Sequence, residues 1–233
     1  YSERRIMKGN SLKDEIKISR MEGLQGKSNW YKFKYYVYYY KIPVIVGIGV
    51  LVFLISLVHS IVTAKDTVLS VALLNANQEV DYSPFMDEYF QTTDYDAGKT
   101  EMRIDASYCF YDNYSNYQNE QRFFVATAAE QIDVVIGSKE IFEKYADMGY
   151  FIDLSKLMDA DTYSKYSDMA HTTSLTEEYG GNTEVSGLDI TNWDCISKLK
   201  WYEGSDEPVY IGIVCESKNK EQAIDFINYL RGY

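Results

Sequence analysis

Short polar side chains follow two apolar runs of the chain and are of the kind that orient a bound ligand. They are Asn75, Asn77 and Gln78 after the first run, and Gly137 and Ser138 at the end of the second. Amide and hydroxyl groups both donate and accept hydrogen bonds, and the free backbone amides at the start of a helix favour an anionic or polar group. Because ligands of open α/β sheets bind beyond the carboxyl ends of the strands, these residues predict a site for a small polar solute.

Each of these residues also has a structural interpretation. Asn75 and Asn77 are typical of turns, and Ser138 is typical of the residue that caps the start of a helix. Trp193 is a further candidate, because an indole ring can stack on a sugar, but the same ring can fill the core. From the sequence alone, both interpretations of each residue stay open.

The sequence has no recognisable catalytic motif. It has neither a P-loop, a G-x-S-x-G motif, an H-E-x-x-H motif nor the glycine fingerprint of dinucleotide binding. His171 is the one histidine outside the long apolar segment, and we expect it at the surface, with pairing to Asp168 or to a cysteine as the alternative. We therefore expect a binding or interaction protein and not an enzyme.

Metal and cofactor sites are not predicted either. Asp94 and Asp96 in DYDAG resemble the opening of a calcium loop, but the glycine stands at the fifth position instead of the sixth, which favours a solvated turn. The cysteines, Cys109, Cys195 and Cys215, include no C-x-x-C pair. They predict buried thiols or at most one disulfide, whose pairing stays open.

Strand and helix patterns alternate along the part of the chain that holds these residues. TVLSVALLNA predicts a buried strand, and the strict alternation from Glu101 to Phe110 predicts a half-exposed one. Ser83 and Pro84 open a helix between them. A later helical stretch then places Tyr117, Phe124 and Ala128 on one face, ahead of the short apolar run IDVVIG.

The order of the remaining elements predicts the fold class. After IDVVIG come a helix capped by Ser138, the strand VYIGIVC and a closing amphipathic helix. Alternating strands and helices predict an α/β fold, a mainly parallel sheet with helices on both faces. In particular, Val68–Leu74 and Ile132–Ile136 are predicted to be adjacent, parallel and both fully buried.

Residues 42 to 64 are predicted to be a transmembrane helix. The run IPVIVGIGVLVFLISLVHSIVTA has no Asp, Glu, Lys or Arg, and its length corresponds to about 34 Å of helix. A cleaved signal peptide is the alternative, but this run exceeds the roughly 7 to 15 residues of a signal core. We therefore expect an uncleaved anchor.

The distribution of charge predicts the orientation of that helix. Residues 1 to 41 carry ten Lys or Arg and four Asp or Glu, a net charge of +6, whereas residues 65 to 233 carry thirteen and thirty-one, a net charge of -18. By the positive-inside rule, residues 1 to 41 are cytoplasmic and residues 65 to 233 form an extracellular domain held at the cell membrane by a single pass. An acidic domain of this kind argues against nucleic acid as a partner.

Aromatic and lysine side chains just before the span are expected to contact lipid headgroups, as such side chains do at membrane surfaces. This membrane-interface set comprises Trp30, Tyr31, Lys32, Lys34, Tyr35 and Lys41. The lipid bilayer is therefore an expected partner.

Two stretches resemble the extracellular solute-binding proteins of ABC importers, which have the type II periplasmic-binding-protein fold. They are ATAAEQIDVVIGSKEIFEKYADMGYFIDLS and the terminal VYIGIVCESKNKEQAIDFINYL. The layout of YYYKIPVIVGIGVLVFLISLVHS followed by AKDTVLSVALLNA also resembles a group of single-span membrane proteins of Firmicutes, from which no function carries over. The first resemblance implies a solute-binding or accessory subunit beside an ABC-transporter permease or another surface protein.

The chain departs from the solute-binding proteins in its size. Only 38 residues separate Met169 from Pro208, where a second lobe needs at least about 50. One lobe is therefore predicted to be reduced or missing, and a single lobe leaves a small solute or sugar exposed unless a partner completes the pocket. A structural or regulatory interaction module without a small-molecule ligand is the alternative function.

Overall fold

The computed structural model describes residues 23 to 110 and 113 to 233, with the side chains of residues 113 to 116 outside the description. The described chain divides after Ala64 into a segment that contains one long helix and an α/β unit from Lys65 to Tyr233. Residues 1 to 22 of the predicted cytoplasmic segment lie outside the described residues.

The long helix, α1, runs from Asn29 to Val62 and is apolar and long enough to cross a membrane. It begins at Ser28, whose Oγ accepts a hydrogen bond from the backbone N–H of Tyr31 at 3.3 Å. None of its residues is buried, which is the state expected of a helix whose apolar surface is covered by lipid.

The predicted membrane-interface residues form the first turns of α1. Lysines lie over aromatic rings there: Lys34 Nζ is 5.4 Å from the Trp30 ring, and Lys41 Nζ is 4.4 Å from the Tyr38 ring. The headgroup contact of Trp30, Tyr31, Lys32, Lys34, Tyr35 and Lys41 stays a prediction.

The α/β unit is built on a mixed six-stranded sheet with the strand order β2-β1-β3-β6-β5-β4. The strands are β1, Asp66–Leu74; β2, Thr100–Tyr108; β3, Val134–Ser138; β4, Ala170–Ser174; β5, Thr183–Asp189; and β6, Val209–Ile213. The helices of the unit are α2, Ser83–Gln91; α3, Asn113–Ala128; α4, Lys139–Asp147; α5, Leu154–Leu157; α6, Ala160–Ser164; α7, Asp194–Leu199; and α8, Lys220–Gly232.

The prediction of a mainly parallel sheet is correct for one half of the sheet and not for the other. Strand β1 pairs in parallel with both β2 and β3, whereas β6 is antiparallel to β3 and to β5, and β4 is antiparallel to β5. The connection from β4 to β5, residues 175 to 182, is too short for the crossover that a parallel pair requires. The finding is therefore an α/β unit with a mixed sheet.

The predicted pairing of the two apolar runs is present. Strands β1 and β3 are parallel neighbours, with Val71 opposite Val134 and Leu74 opposite Gly137. The prediction of full burial is correct for β3 and wrong for β1, in which Val68 and Ser70 are half-buried.

Helices cover both faces of the sheet, as predicted. On one face, α2 and α8 pack against Leu69, Val71 and Leu73 of β1, and this cluster includes Phe85, Tyr89, Ala223, Phe226, Ile227 and Leu230. On the other face, α3 and α4 pack against Ala72 and Leu74, through Phe123, Ile141, Phe142, Tyr145 and Ala146. Strand β1 therefore contributes alternate side chains to the clusters on both faces, and β3 does the same through Val134, Val135 and Ile136.

The apolar face predicted for α3 lies at the surface. The side chains of Tyr117 and Phe124 are 66% and 59% exposed, and Ala128 is exposed as well. The buried position is Phe123, whose ring packs 4.5 Å from that of Tyr145. The sequence spacing of the three residues is helical, but the neighbouring aromatic residue is the one that meets the core.

Helix α4 approaches the sheet closely because two glycines face it. A Cβ atom on Gly187 of β5 would lie 2.6 Å from Phe142 Cζ, and one on Gly212 of β6 would lie 3.0 Å from it. The Phe142 ring also stacks on Phe151, with the ring centroids 4.4 Å apart. This packing sets the position of the start of α4, where the candidate site lies.

Candidate functional site

The order of the strands creates a crevice between the carboxyl ends of β1 and β3. Strand β1 has β2 on one side and β3 on the other. The connection that follows β1 leads to α2 on one face of the sheet, and the connection that follows β3 leads to α4 on the opposite face. The two connections therefore diverge at this point. In open α/β sheets, ligands bind in such a crevice.

A cleft of about 800 Å³ occupies this position. Its walls come from the turn after β1, the end of β3, one side of α4, the loop before β6, Glu120 of α3 and Phe110 ahead of that helix. The cleft is lined by Asn75, Ala76, Asn77, Phe110, Glu120, Ser138, Glu140, Ile141, Lys144, Tyr202, Glu203, Gly204, Ser205 and Glu207. Three of the residues predicted from the sequence, Asn75, Asn77 and Ser138, are thus brought together.

Asn75 shapes the turn after β1. Its backbone has a positive φ of 58°, which asparagine tolerates better than most residues. Its N–H donates to the carbonyl oxygen of Tyr108 at 2.9 Å, and its Oδ1 accepts from the N–H of Phe110 at 2.7 Å. Asn75 therefore ties the end of β1 to the end of β2, which supports its interpretation as a turn residue.

The side chain of Asn77 stabilises a turn through its oxygen and has a hydrogen-bond donor, Nδ2, to spare. Its Oδ1 accepts from the N–H of Glu79 at 3.0 Å, and its N–H donates to the carbonyl oxygen of Trp201 at 2.7 Å. Its side-chain Nδ2 has no hydrogen-bond partner in the described part of the chain. This amide is therefore able to donate to a ligand in the cleft.

Ser138 is a buried polar residue at the wall of the cleft. It ends β3 and stands at the N-cap position of α4, as predicted, but its side chain makes no capping hydrogen bond. The residue is 5% exposed, and its hydroxyl group has no hydrogen-bond partner among residues 23 to 110 and 113 to 233. The fully buried side-chain oxygens without a partner in the described residues are those of Thr127, Tyr145 and Tyr229, and Ser138 Oγ is not among them. The small exposed part of Ser138 therefore includes its hydroxyl group, and the residue borders the space in which a ligand would lie.

Tyr202 is a cleft residue that the sequence analysis did not identify. It belongs to the loop before β6, and its hydroxyl oxygen lies 2.8 Å from the carbonyl oxygen of Ile136 and 3.2 Å from that of Leu74. Its loop reaches the cleft because β6 is antiparallel to β3, with Val209 opposite Ser138. The pair Trp201-Tyr202 before an acidic turn is the sequence signal that marks this loop.

The lining of the cleft is predominantly acidic. Its charged side chains are Glu120, Glu140, Glu203, Glu207 and Lys144. Lys144 pairs with Glu120, and Glu203 Oε1 lies 3.4 Å from Nζ of Lys200, which does not line the cleft. Glu140 and Glu207 form no ion pair within the described residues. The loop and helix positions of these glutamates are all exposed or half-buried, so that their carboxylates face solvent in the open cleft.

Gln78 and Gly137 do not line the cleft. Gln78 is exposed, and its Nε2 donates to Cys109 Sγ at 2.9 Å. Burial raises the pKa of the Cys109 thiol, so that it is protonated and weakly nucleophilic at neutral pH. Gly137 lies inside the sheet between Leu74 and Tyr210, where its role is backbone pairing.

Trp193 lies in the core and not at the cleft. Its indole is 4% exposed, and Nε1 donates to Met169 Sδ at 3.2 Å. The Arg231 guanidinium lies over its ring at 5.4 Å. The core interpretation of this tryptophan is the one that the structure supports.

The other residues considered for chemistry lie elsewhere. His171 is on β4 instead of in a surface loop; its ring is 4.5 Å from that of Tyr210, and burial lowers its pKa, which favours the neutral form. The cysteines are all free, and burial raises the pKa of Cys195 to about 11. No cluster of His, Cys, Asp and Glu in the described ranges is arranged to hold a metal ion.

Comparisons with protein-family models, with curated proteins and with solved structures give no match. The resemblance to the solute-binding proteins of ABC importers therefore stays a prediction from the sequence. Any function assigned to the chain rests on the cleft and on the long apolar helix.

Proposed function

We propose that the chain is a membrane-anchored binding protein whose ligand site is the cleft at the carboxyl ends of β1 and β3. The observation that carries this proposal is that one cleft is lined by both Asn77 and Ser138, whose side-chain Nδ2 and hydroxyl groups have no hydrogen-bond partner in the described part of the chain. Both groups are able to hydrogen-bond a ligand, and the cleft stands where open α/β sheets bind theirs.

The proposal includes the location of the domain. Helix α1 anchors the chain in the cell membrane by a single pass, with the N-terminus cytoplasmic and residues 65 to 233 extracellular. The length and apolar surface of α1 support the anchor, and the net charge of +6 over residues 1 to 41 supports the orientation. By its resemblance to importer subunits, the domain serves as a ligand-binding or accessory subunit beside an ABC-transporter permease or another surface protein.

A thermal-shift measurement on the full chain in detergent tests the binding function. A panel of polar solutes and sugars is added, and a ligand at 100 times its Kd raises the free energy of unfolding by roughly 2.7 kcal/mol. We expect at least one solute to stabilise the protein in a saturable way, and Ser138→Ala and Asn77→Ala to weaken that effect.

The variant Asn182→Ala serves as the control, since it removes an exposed amide outside the cleft. Ser138→Ala is the cleaner of the two cleft variants, because the Ser138 hydroxyl makes no hydrogen bond whose loss would disturb the fold. The absence of any stabilising solute would contradict the proposal, and so would a solute that stabilises both cleft variants as much as the parent protein.

One observation favours the alternative, an interaction module. A surface depression of about 630 Å³ is lined mainly by apolar or aromatic side chains, among them Phe124, Met148 and Tyr179. Exposed apolar surface of this kind commonly marks a protein interface. If the alternative is right, a photo-crosslinker at position 124 captures a membrane partner in cells, whereas one at Asn182 does not, and a crosslinker placed in that partner captures this chain in return.

A further inference from the structure

The charge of the cleft indicates which class of solute it takes. We propose that the cleft binds a small organic cation, a solute whose ammonium group lies among the glutamates. This inference rests on the proposed function, because it assigns a ligand class to the same site.

The first argument is the balance of charge in the cleft. Four glutamates line it against one lysine, and that lysine, Lys144, is paired with Glu120. Glu140 and Glu207 have no cationic partner among the described residues. A cationic solute would therefore gain attraction from unpaired carboxylates, whereas an anionic solute would be repelled.

The second argument concerns the start of α4, which by itself would attract an anion. The positive end of a helix dipole interacts favourably with carboxylates in the first turn. In α4 that position already holds Glu140. The sequence alone favoured either an anionic or a polar ligand group at Ser138. With Glu140 in place, an anionic group would be repelled, so we expect a neutral polar or cationic group there.

The third argument is independent of the acidic residues. The Ser138 hydroxyl is part of a residue that is 95% buried, lines the cleft and has no partner in the described structure. Its oxygen is able to accept a hydrogen bond from an ammonium N–H. The aromatic rings of Phe110 and Tyr202 line the same cleft, and aromatic faces attract cations.

Isothermal titration calorimetry tests the ligand class on the full chain in nanodiscs of zwitterionic phosphatidylcholine. The probes are three five-carbon compounds that differ in charge: 1,5-diaminopentane, 1,5-pentanediol and glutarate. We expect the diamine to bind and the diol and the diacid to bind at least about tenfold more weakly. A higher salt concentration should lower the affinity for the diamine, because salt screens an exposed ionic interaction.

Two matched double variants locate the charge effect. Glu140→Gln with Glu207→Gln should weaken diamine binding about tenfold or more, and Ser138→Ala should weaken it by a smaller factor, about fivefold. The control, Glu177→Gln with Glu178→Gln, changes the net charge by the same amount at exposed glutamates outside the cleft and should leave binding unchanged.

The proposal is overturned if the diol or glutarate binds as tightly as the diamine. It is equally overturned if the control substitutions lower the affinity for the diamine as much as the cleft substitutions do. It is also overturned if none of the three probes binds. The thermal-shift panel of solutes then tests the proposed function separately. If a solute stabilises the protein and Ser138→Ala removes that effect, the cleft is still a binding site and only its preference for cations is wrong.

Discussion

The hydroxyl oxygen of Tyr202 lies 2.8 Å from the carbonyl oxygen of Ile136 in β3. The same oxygen is 3.2 Å from the carbonyl oxygen of Leu74 in β1. One side chain from the loop before β6 thus joins the carboxyl ends of the two parallel strands. It couples the cleft to the sheet that supports it.

The first prediction is that Tyr202→Phe lowers the stability of the protein. The ring is kept and the hydroxyl group is lost, so we expect the free energy of unfolding to fall by about 0.5 to 1.5 kcal/mol, measured by chemical denaturation. Tyr163→Phe is the control, since the Tyr163 hydroxyl makes no hydrogen bond in the described part of the chain. Equal stability of Tyr202→Phe and the parent protein would contradict the bridging role.

Asp153 joins the start of α5 to β5. Its carboxylate accepts hydrogen bonds from Ser155 Oγ at 2.6 Å and from the N–H of Val185 at 3.3 Å, and it pairs with Lys156 Nζ at 2.9 Å. Burial acts to raise the pKa of this carboxyl, but the hydrogen bonds outweigh burial and hold the pKa below its ordinary value.

The second prediction follows from that lowered pKa. The stability that the Asp153 carboxylate contributes is present above the unfolded-state pKa of about 3.9 and is lost as the pH falls through the folded-state pKa. Asp153→Asn should therefore be less stable than the parent at pH 7, and this difference should shrink as the pH is lowered below about 4. Chemical denaturation at several pH values measures this difference in the free energy of unfolding, and Asp206→Asn, at an exposed position, is the control. A difference that does not vary with pH would contradict a stabilising role of the Asp153 carboxylate.

The third prediction concerns the close approach of α4 to the sheet. In Gly187→Ala, the new Cβ would lie 2.5 Å from the carbonyl oxygen of Ile211 and 2.6 Å from Phe142 Cζ. Because backbone must move to relieve the first contact, we expect a loss of about 1 to 3 kcal/mol in the free energy of unfolding. Gly232→Ala, where the added Cβ meets no atom within 4 Å, should be tolerated; if the two variants are equally stable, the packing described for α4 is wrong.

The fourth prediction concerns membrane topology. In a chain without Cys109 and Cys215, a membrane-impermeant maleimide should label Glu177→Cys in intact cells and should not label Lys27→Cys. Cys195 can be kept, because burial raises the pKa of its thiol to about 11 and makes it unreactive at neutral pH. Both engineered sites should react after permeabilisation, and labelling of position 27 from outside would reverse the proposed orientation.

Strands β1 and β3 were predictable because their sequence signal is local. The apolar runs of β1 and β3 are short and continuous, which is typical of strands buried on both faces. Their adjacency in parallel brings Asn75, Asn77 and Ser138 to one side, and this follows from the general geometry of such sheets. This part of the candidate site was therefore within reach of the sequence.

The direction of β6 was not predictable in the same way. A fully buried run such as VYIGI has no pattern that distinguishes a parallel from an antiparallel neighbour. With β6 antiparallel, the cleft receives the loop before that strand, which holds Tyr202, Glu203 and Glu207, instead of the loop after it. Two of the four glutamates that line the cleft therefore depend on this single pairing.

Strands β4 and β5 were missed for a different reason. The strand AHTTS is polar, and its buried residue Thr173 is satisfied by a hydroxyl contact of 2.7 Å with Ser186 of β5. Such a pair replaces apolar packing by a hydrogen bond, so that hydrophobic periodicity does not identify the strand.

The cleft separates the groups that set its charge from the groups that hold its shape. Glu140, Glu203 and Glu207 are exposed, whereas Tyr202, which joins the ends of β1 and β3, is buried. Substitutions at exposed positions usually change stability by no more than about 0.5 kcal/mol. An exchange of these carboxylates for lysines would therefore reverse the charge of the cleft and leave the sheet beneath it intact, so that the charge of this surface is free to diverge over evolutionary time without a loss of foldability.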